Sequence, residues 1–265
     1  LVFSRMDAST RTRPAGGVRV LEGVFVLELG TYLSASLATL HLAGLGASVC
    51  TVQRPGDCRG AREEEAWRGE ALGAALSASK QTVSLDLRTH ADKTRLGVLI
   101  KKAHVLVTNF SAPTLAKHEL DADSCAALNP GLVHVWLPGF ASADASPPQA
   151  WEAVVLAASG VFRDMGVNRQ LLGVAASYSP LPLASAYASV WAALAACAAL
   201  YRDARRGEGR ALGEAIEVPL ASALVETLCH NSLHLDHLPQ HYLSARMRRR
   251  RRRLRRRARR RPLRH

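Results

Sequence analysis

At 265 residues and 48% hydrophobic, the chain has enough apolar material for one or two cored domains, and its composition excludes a wholly disordered protein. Its formal charge of +13 is local: residues 246–265 hold 14 Arg and no acid, and removing those 14 charges from +13 leaves −1 for residues 1–245. The body is a nearly neutral globular protein carrying a basic tail, not a basic protein.

The pattern along the chain alternates apolar, β-branched runs with segments of helical period, the signature of βαβ units and a parallel sheet. Val24–Leu29 reads as the first strand. Ser34–Leu45 carries apolar residues at helical spacing and stops at Gly46. Ala47–Gln53 is the second strand, and 56–79 an irregular polar stretch with a short helix. Thr82–Leu87 reads as a strand, Ala91–Lys102 as an amphipathic helix, and Val105–Asn109 and Val133–Leu137 as short strands. Residues 151–165 and 183–206 read as helices, the second ending at the Arg205–Gly209 turn. Ala215–Val218 is a strand, and Pro219 opens a helix running to about His234. The longest apolar run, Ala184–Leu200, is Ala-rich and interrupted by Ser185, Tyr187 and Ser189. It reads as a buried helix rather than a membrane span.

Five cysteines (Cys50, Cys58, Cys125, Cys197, Cys229) are scattered and odd in number, which fits reduced thiols and a cytoplasmic location. The first 17 residues hold no apolar core of signal-peptide length and read as a disordered segment. The expected organisation is an α/β domain over 18–235, followed by a linker and Arg-rich tail over 236–265.

Several short motifs invite a functional reading. Gly44-Leu-Gly46 sits at a helix end leading into a strand, so it is a helix cap and not a dinucleotide fingerprint. Arg54-Pro55-Gly56-Asp57 follows a strand at the carboxyl edge of the sheet, where open α/β folds bind ligands, although its spacing alone reads as a solvated loop. Cys229-His230-x3-His234-x-Asp236-His237-x3-His241 contains the i, i+4 spacing of metal ligands. It lacks an H-E-x-x-H, and Pro239 interrupts it, so it reads as a polar helix end with no metal. The Arg tail could hold RNA, DNA or an anionic membrane by counterion release, yet it has no aromatic residue for base stacking.

Four blocks in order resemble the large domain of class III CoA-transferases, the family of formyl-CoA and carnitine CoA-transferases and α-methylacyl-CoA racemase. They are LEGVFVLELGTYLSASLATLHLAGLGASVCTVQRPGD from Leu21, SASKQTVSLDLRTH from Ser77, HVLVTNFSAPTLAKHEL from His104, and LNPGLVHVWLPGF from Leu128. The resemblance implies an α/β fold with a doubly wound, mostly parallel Rossmann-like sheet, here lacking the family's second, small domain. It implies CoA thioesters and carboxylic acids as substrates, with no permanently bound cofactor. Arg54 falls on an ERPG-type motif that lies against the adenosine of CoA, with Gln53 in place of the usual acid. Lys80 falls on the lysine of an N-x-x-K-R-S block, with Gln81 in place of the arginine. Asn109 and Phe110 match an E-N-F block, and Lys117 its following basic residue. Leu33 and Ser34 fall where the family approaches the thioester. Together Arg54, Lys80 and Lys117 are expected to form a cationic rim.

The resemblance also exposes a gap. The family's covalent aspartate precedes the long helix, and counting back from Gly207 and Gly209 puts that position within Ala184–Ala186, where no acid stands. Ser185 is the nearest polar residue, and it needs a base. A racemase pair would need a His near 151–154, which read Trp-Glu-Ala-Val; Glu152 and Asp164 are the nearest ionisable groups, expected on helix surfaces. Two readings follow: a divergent enzyme, with a different nucleophile or a second catalytic copy of the domain elsewhere, or a fold that binds CoA without turning it over. Family chains interlock as dimers through a segment beyond this one, so this chain is expected to dimerise poorly. A shifted reading frame through GC-rich codons is the expected origin of the Arg tail, and nucleic acid is a partner only if that tail is genuine.

Overall fold

The computed structural model describes residues 19–55, 69–142, 151–162, 178, 181–206 and 212–227. Its centre is β1 (Phe25–Leu29), whose Val26, Leu27, Glu28 and Leu29 are all at most 2% exposed, so both of its faces are covered. Alternation along the strand sends Val26 into one apolar cluster and Leu27 and Leu29 into the other. Around β1 lie β2 (Ser48–Gln53), β3 (Lys80–Ser84), β4 (Val105–Thr108), β5 (Val133–Trp136) and β6 (Glu214–Glu217). Their order is β3-β2-β1-β4-β5-β6 and every pairing is parallel, the doubly wound arrangement expected from the alternating pattern.

The helices in chain order are α1 (Ser34–Gly44), α2 (Gly69–Ser77), α3 (His90–Lys102), α4 (Ala112–His118), α5 (Ala122–Leu128), α6 (Glu152–Ala158), α7 (Leu183–Arg206) and α8 (Leu220–Thr227). Helices α1, α6, α7 and α8 share the cluster containing Val26; α3, α4 and α5 share the one containing Leu27. The contact between α1 and α7 is made of small residues. Ala184, Ala188, Ala192 and Ala196 recur every fourth position, are at most 1% exposed, and pack in the cluster with Ala35, Ala38 and Leu42 of α1. By length and composition α7 could cross a membrane, but its alanine face is occupied by protein, as in a core helix.

Helix α1 ends as its sequence predicts. Gly46 takes φ +107°, its N–H reaches Ala43 O at 3.0 Å, and Ala47 N reaches Leu42 O at 3.1 Å, a Schellman cap. Strand β3 begins two residues before the expected Thr82, because its ladder runs from Val49↔Lys80 to Gln53↔Ser84 and β2 offers no partner beyond Gln53. Helices α4 and α5, of seven residues each, were too short to show a period; Asp121 caps α5 by accepting from Ser124 N at 3.0 Å.

Candidate functional site

Strands β1 and β4 are adjacent, yet the chain leaves β1 toward β2 on one side and β4 toward β5 on the other. Between their carboxyl ends lies the topological switch point, where open α/β sheets bind ligands. The structure brings four of the candidate residues there: Leu33 and Ser34 at the start of α1, and Asn109 and Phe110 just past β4. Asn109 ties the two sides together. Its Oδ1 accepts from Thr31 N at 2.9 Å, and its Nδ2 donates to Thr31 O and to Ser34 Oγ, the latter at 2.9 Å. Both amide hydrogens are thereby engaged, so toward a ligand Asn109 offers only Oδ1. The clasp requires Gly30: a Cβ there would stand 2.7 Å from Ala35 Cβ and 2.8 Å from Asn109 Oδ1. Leu33 and Ser34 are buried, while Phe110 is half-buried and its carbonyl accepts from Trp136 Nε1 at 2.8 Å.

The expected cationic rim is not what the structure shows. Arg54 is exposed at the end of β2, and Lys117 is exposed on the last turn of α4, with β1 between their strands. Lys80 points inward. Its side chain is 1% exposed, and its Nζ lies 2.9 Å from Oε2 of Glu28, which is itself fully buried. The physical cause is the carboxylate on β1: buried at that depth, it would be left uncompensated without an ammonium beside it. Glu28 collects Ser36 Oγ at 2.7 Å, Thr39 Oγ1 at 2.6 Å and Thr51 Oγ1 at 3.0 Å, and Lys80 Nζ also donates to Ser36 O at 2.7 Å. Among the described residues, an exposed cation that accompanies Arg54 is Arg88, beyond β3. It grips Asp86 at 2.8 Å, and this hydrogen bonding, with a smaller attraction from Arg54, lowers the Asp86 carboxyl to about 2.

The head of α7 contains Ala184–Ala186, the stretch to which the family resemblance pointed for a catalytic acid. Helix α7 feeds parallel strand β6, so it runs opposite to the strands and its first residues lie toward the carboxyl edge, like those of α1. Ala184 and Ser185 are buried, and Glu152, at the start of α6, reaches across to them. Its Oε1 accepts from Ala184 N at 2.7 Å. Its Oε2 accepts from Ser185 N at 3.1 Å and from Ser185 Oγ at 2.6 Å. The expectation that Glu152 is a solvated helix-surface residue is therefore corrected. The first amides of α7 have no intrahelical partners, and Leu181 and Pro182 cannot cap them, so the carboxylate is drawn in from another helix. Farther along α7, Ser189 Oγ donates to Ala186 O at 2.7 Å and lies 3.4 Å from His41 Nε2 of α1. Burial, and secondarily Lys80, push the His41 imidazole below its ordinary pKa, favouring its neutral form.

Other ionisable groups have structural settings. Burial lowers the His134 pKa, and its Nε2–H donates to Leu120 O at 3.1 Å. Cys125 is pushed up to about 12 and Cys50 to about 11 by burial, so neither is a thiolate nucleophile at neutral pH. A cavity of about 280 Å³ between α3 and α5 contains none of the candidate residues. Among the described residues no group of three His, Cys, Asp or Glu could hold a metal. The Cys229–His241 constellation, Asp164, Cys58 and the Arg tail lie outside the described residues.

Comparison with known proteins gives a consistent picture. The profile of CoA-transferase family III matches residues 21–256. The CoA-transferase/lyase DddD of Marinomonas sp. (strain MWYL1) is 35% identical over 228 residues, covering 85% of this chain and 26% of that protein. The succinyl-CoA–D-citramalate CoA-transferase of Chloroflexus aurantiacus is 28% identical over 198 residues, covering 72% of this chain and 48% of that protein. The chain thus spans half or less of these relatives, and the first of them is about twice as long as the second. A crystal structure of a CAIB/BAIF family protein from Brucella suis superposes with a TM-score of 0.67 at 23% identity, covering 84% of this chain and 59% of that one, and shares the fold.

Proposed function

Because the chain belongs to CoA-transferase family III, we propose that it moves CoA from an acyl-CoA to a free carboxylic acid, with the thioester held in the crevice between β1 and β4. The observation that carries this reading is the meeting of Leu33, Ser34, Asn109 and Phe110 at the switch point of the sheet. The exposed Arg54 at the neighbouring strand end suits the phosphates or purine of CoA.

Transfer to a carboxylate needs an intermediate as activated as the thioester itself. A side-chain carboxylate provides one. Its oxygen attacks the thioester carbonyl, the C–S bond breaks, CoA leaves as thiolate, and a mixed anhydride forms. The thiolate then attacks the side chain's own carbonyl carbon and releases the donor acid. The same steps in reverse load the acceptor. A Ser185 ester would be too stable to pass its acyl group to a free carboxylate. We infer that the reacting carboxylate is Glu152, the acid bonded to the head of α7, where Ser185 Oγ and the first amides of the helix hold it.

The test is exchange of isotopically labelled carboxylic acids into acyl-CoA over a panel of donors and acceptors. Wild-type exchange that falls at least about 100-fold in Glu152→Gln, a loss typical of removing a covalent catalytic group, supports the reading. A second reading is favoured by the text Ala184-Ser185-Ala186, which offers no acid at the expected position: the chain binds CoA without turning it over. That reading predicts CoA binding with no exchange.

A further inference from the structure

The buried ion pair beneath α1 is the feature the functional reading leaves unused. We propose that Lys80 is a positioning residue for the crevice, acting through Glu28 and the first turn of α1 and not by touching the ligand. This rests on the CoA reading above.

The geometry separates the two roles. A lysine that meets a phosphate must reach solvent or the crevice, but the Lys80 side chain is 1% exposed. Its Nζ is directed to Glu28 Oε2 at 2.9 Å and to the carbonyl of Ser36 at 2.7 Å. Ser36 lies two residues past Ser34, in the opening turn of α1, and is itself buried. Glu28 holds the same turn through Ser36 Oγ at 2.7 Å and the next through Thr39 Oγ1 at 2.6 Å, and it reaches β2 through Thr51 Oγ1. One carboxylate and one ammonium therefore join β1, β2, β3 and α1. From the other side Asn109 of the β4 end holds Thr31 and Ser34. The Thr31–Ser34 turn, one wall of the crevice, is gripped at its entrance by Asn109 and at its exit by the Lys80–Glu28 pair. Moving either grip displaces the wall.

The experiment compares Lys80→Gln, Glu28→Gln and the double variant, with binding of CoA and of pantetheine, which lacks phosphates, followed by NMR titration. Positioning predicts that both single variants weaken CoA and pantetheine by the same factor. It further predicts that the double variant, whose two amides can hydrogen-bond each other, loses less than the product of the single losses. A Lys80→Gln variant that loses CoA affinity about tenfold while keeping pantetheine affinity, beside a Glu28→Gln variant unchanged for both, would overturn the proposal, since the ammonium would then be reading phosphate. Hydrogen exchange is recorded on the same proteins. Faster exchange in residues 34–39 of any folded variant is expected, and unchanged protection there overturns the proposal. If wild type binds neither CoA nor pantetheine, the CoA reading fails, and the exchange data alone decide whether Lys80 holds α1. If the single variants do not fold, the double variant carries both measurements: its α1 exchange must still rise, and its losses for CoA and pantetheine must match.

Discussion

Replacing Glu152 by Ala should loosen the head of α7, and the structure sets the scale. The carboxylate accepts three donors: Ala184 N at 2.7 Å, Ser185 N at 3.1 Å and Ser185 Oγ at 2.6 Å. Loss of a helix cap costs about 1 kcal/mol, and removing a negative charge from a partly buried helix N-terminus adds up to about 2 kcal/mol. Ser185 Oγ is left in a buried setting, 6% exposed, which adds about 1 kcal/mol unless it turns to another acceptor. The sum expected for Glu152→Ala is about 2–4 kcal/mol, a fall in Tm of roughly 5–15 °C at this chain length. Ser185→Ala, which removes one of the three donors, should cost about 1 kcal/mol. The assay is urea unfolding followed by circular dichroism, with hydrogen exchange at residues 184–187. A Glu152→Ala variant within about 0.5 kcal/mol of wild type, the range of an ordinary surface change, would refute the cap and return Glu152 to a solvated helix surface.

Gly30→Ala places a Cβ 2.7 Å from Ala35 Cβ and 2.8 Å from Asn109 Oδ1, so it should open the clasp and destabilise the protein by about 1–3 kcal/mol, measurable by denaturation. Asp86 titrates near 2 instead of its ordinary 3.8, chiefly through hydrogen bonds from Arg88. A depressed carboxyl stabilises the fold above its unfolded pKa, and that contribution disappears as pH falls from 3.8 through about 2. Arg88→Ala should move the Asp86 midpoint, followed by carbon NMR, up toward its ordinary value. Cys50 and Cys125, with thiols at about 11 and about 12, should resist a disulfide reagent at pH 8 in the native state and react at once in denaturant.

The sheet was legible because its information is local. Apolar runs such as Val24–Leu29 and Val133–Leu137 declare buried strands, and Gly46 declares the end of α1. The expected helix over 183–206 is helical throughout those residues and starts at Leu183 as read. The misses have a common physical origin, which is that they depend on who stands opposite. The bounds of β3 follow the length of β2. Lys80 reads as a surface cation until Glu28, 52 residues earlier, is seen directly beneath it; the signal available in sequence was an acid inside an otherwise apolar strand, VFVLEL. Glu152 reads as a surface carboxylate until α7 is found 32 residues on with its first amides facing it. The signal there was the lack of any capping side chain at Leu181-Pro182. The four crevice residues were identified by resemblance, and it is the 3-2-1-4-5-6 order that gathers them at one place.

The central claim, that the crevice between β1 and β4 receives CoA, is tested most directly by hydrogen exchange of the full chain with and without saturating CoA. The account predicts slowed exchange confined to residues 30–37 and 109–111 and to the strand end at Gln53–Arg54. Protection elsewhere with these segments unchanged, or no protection anywhere at millimolar CoA, would contradict it.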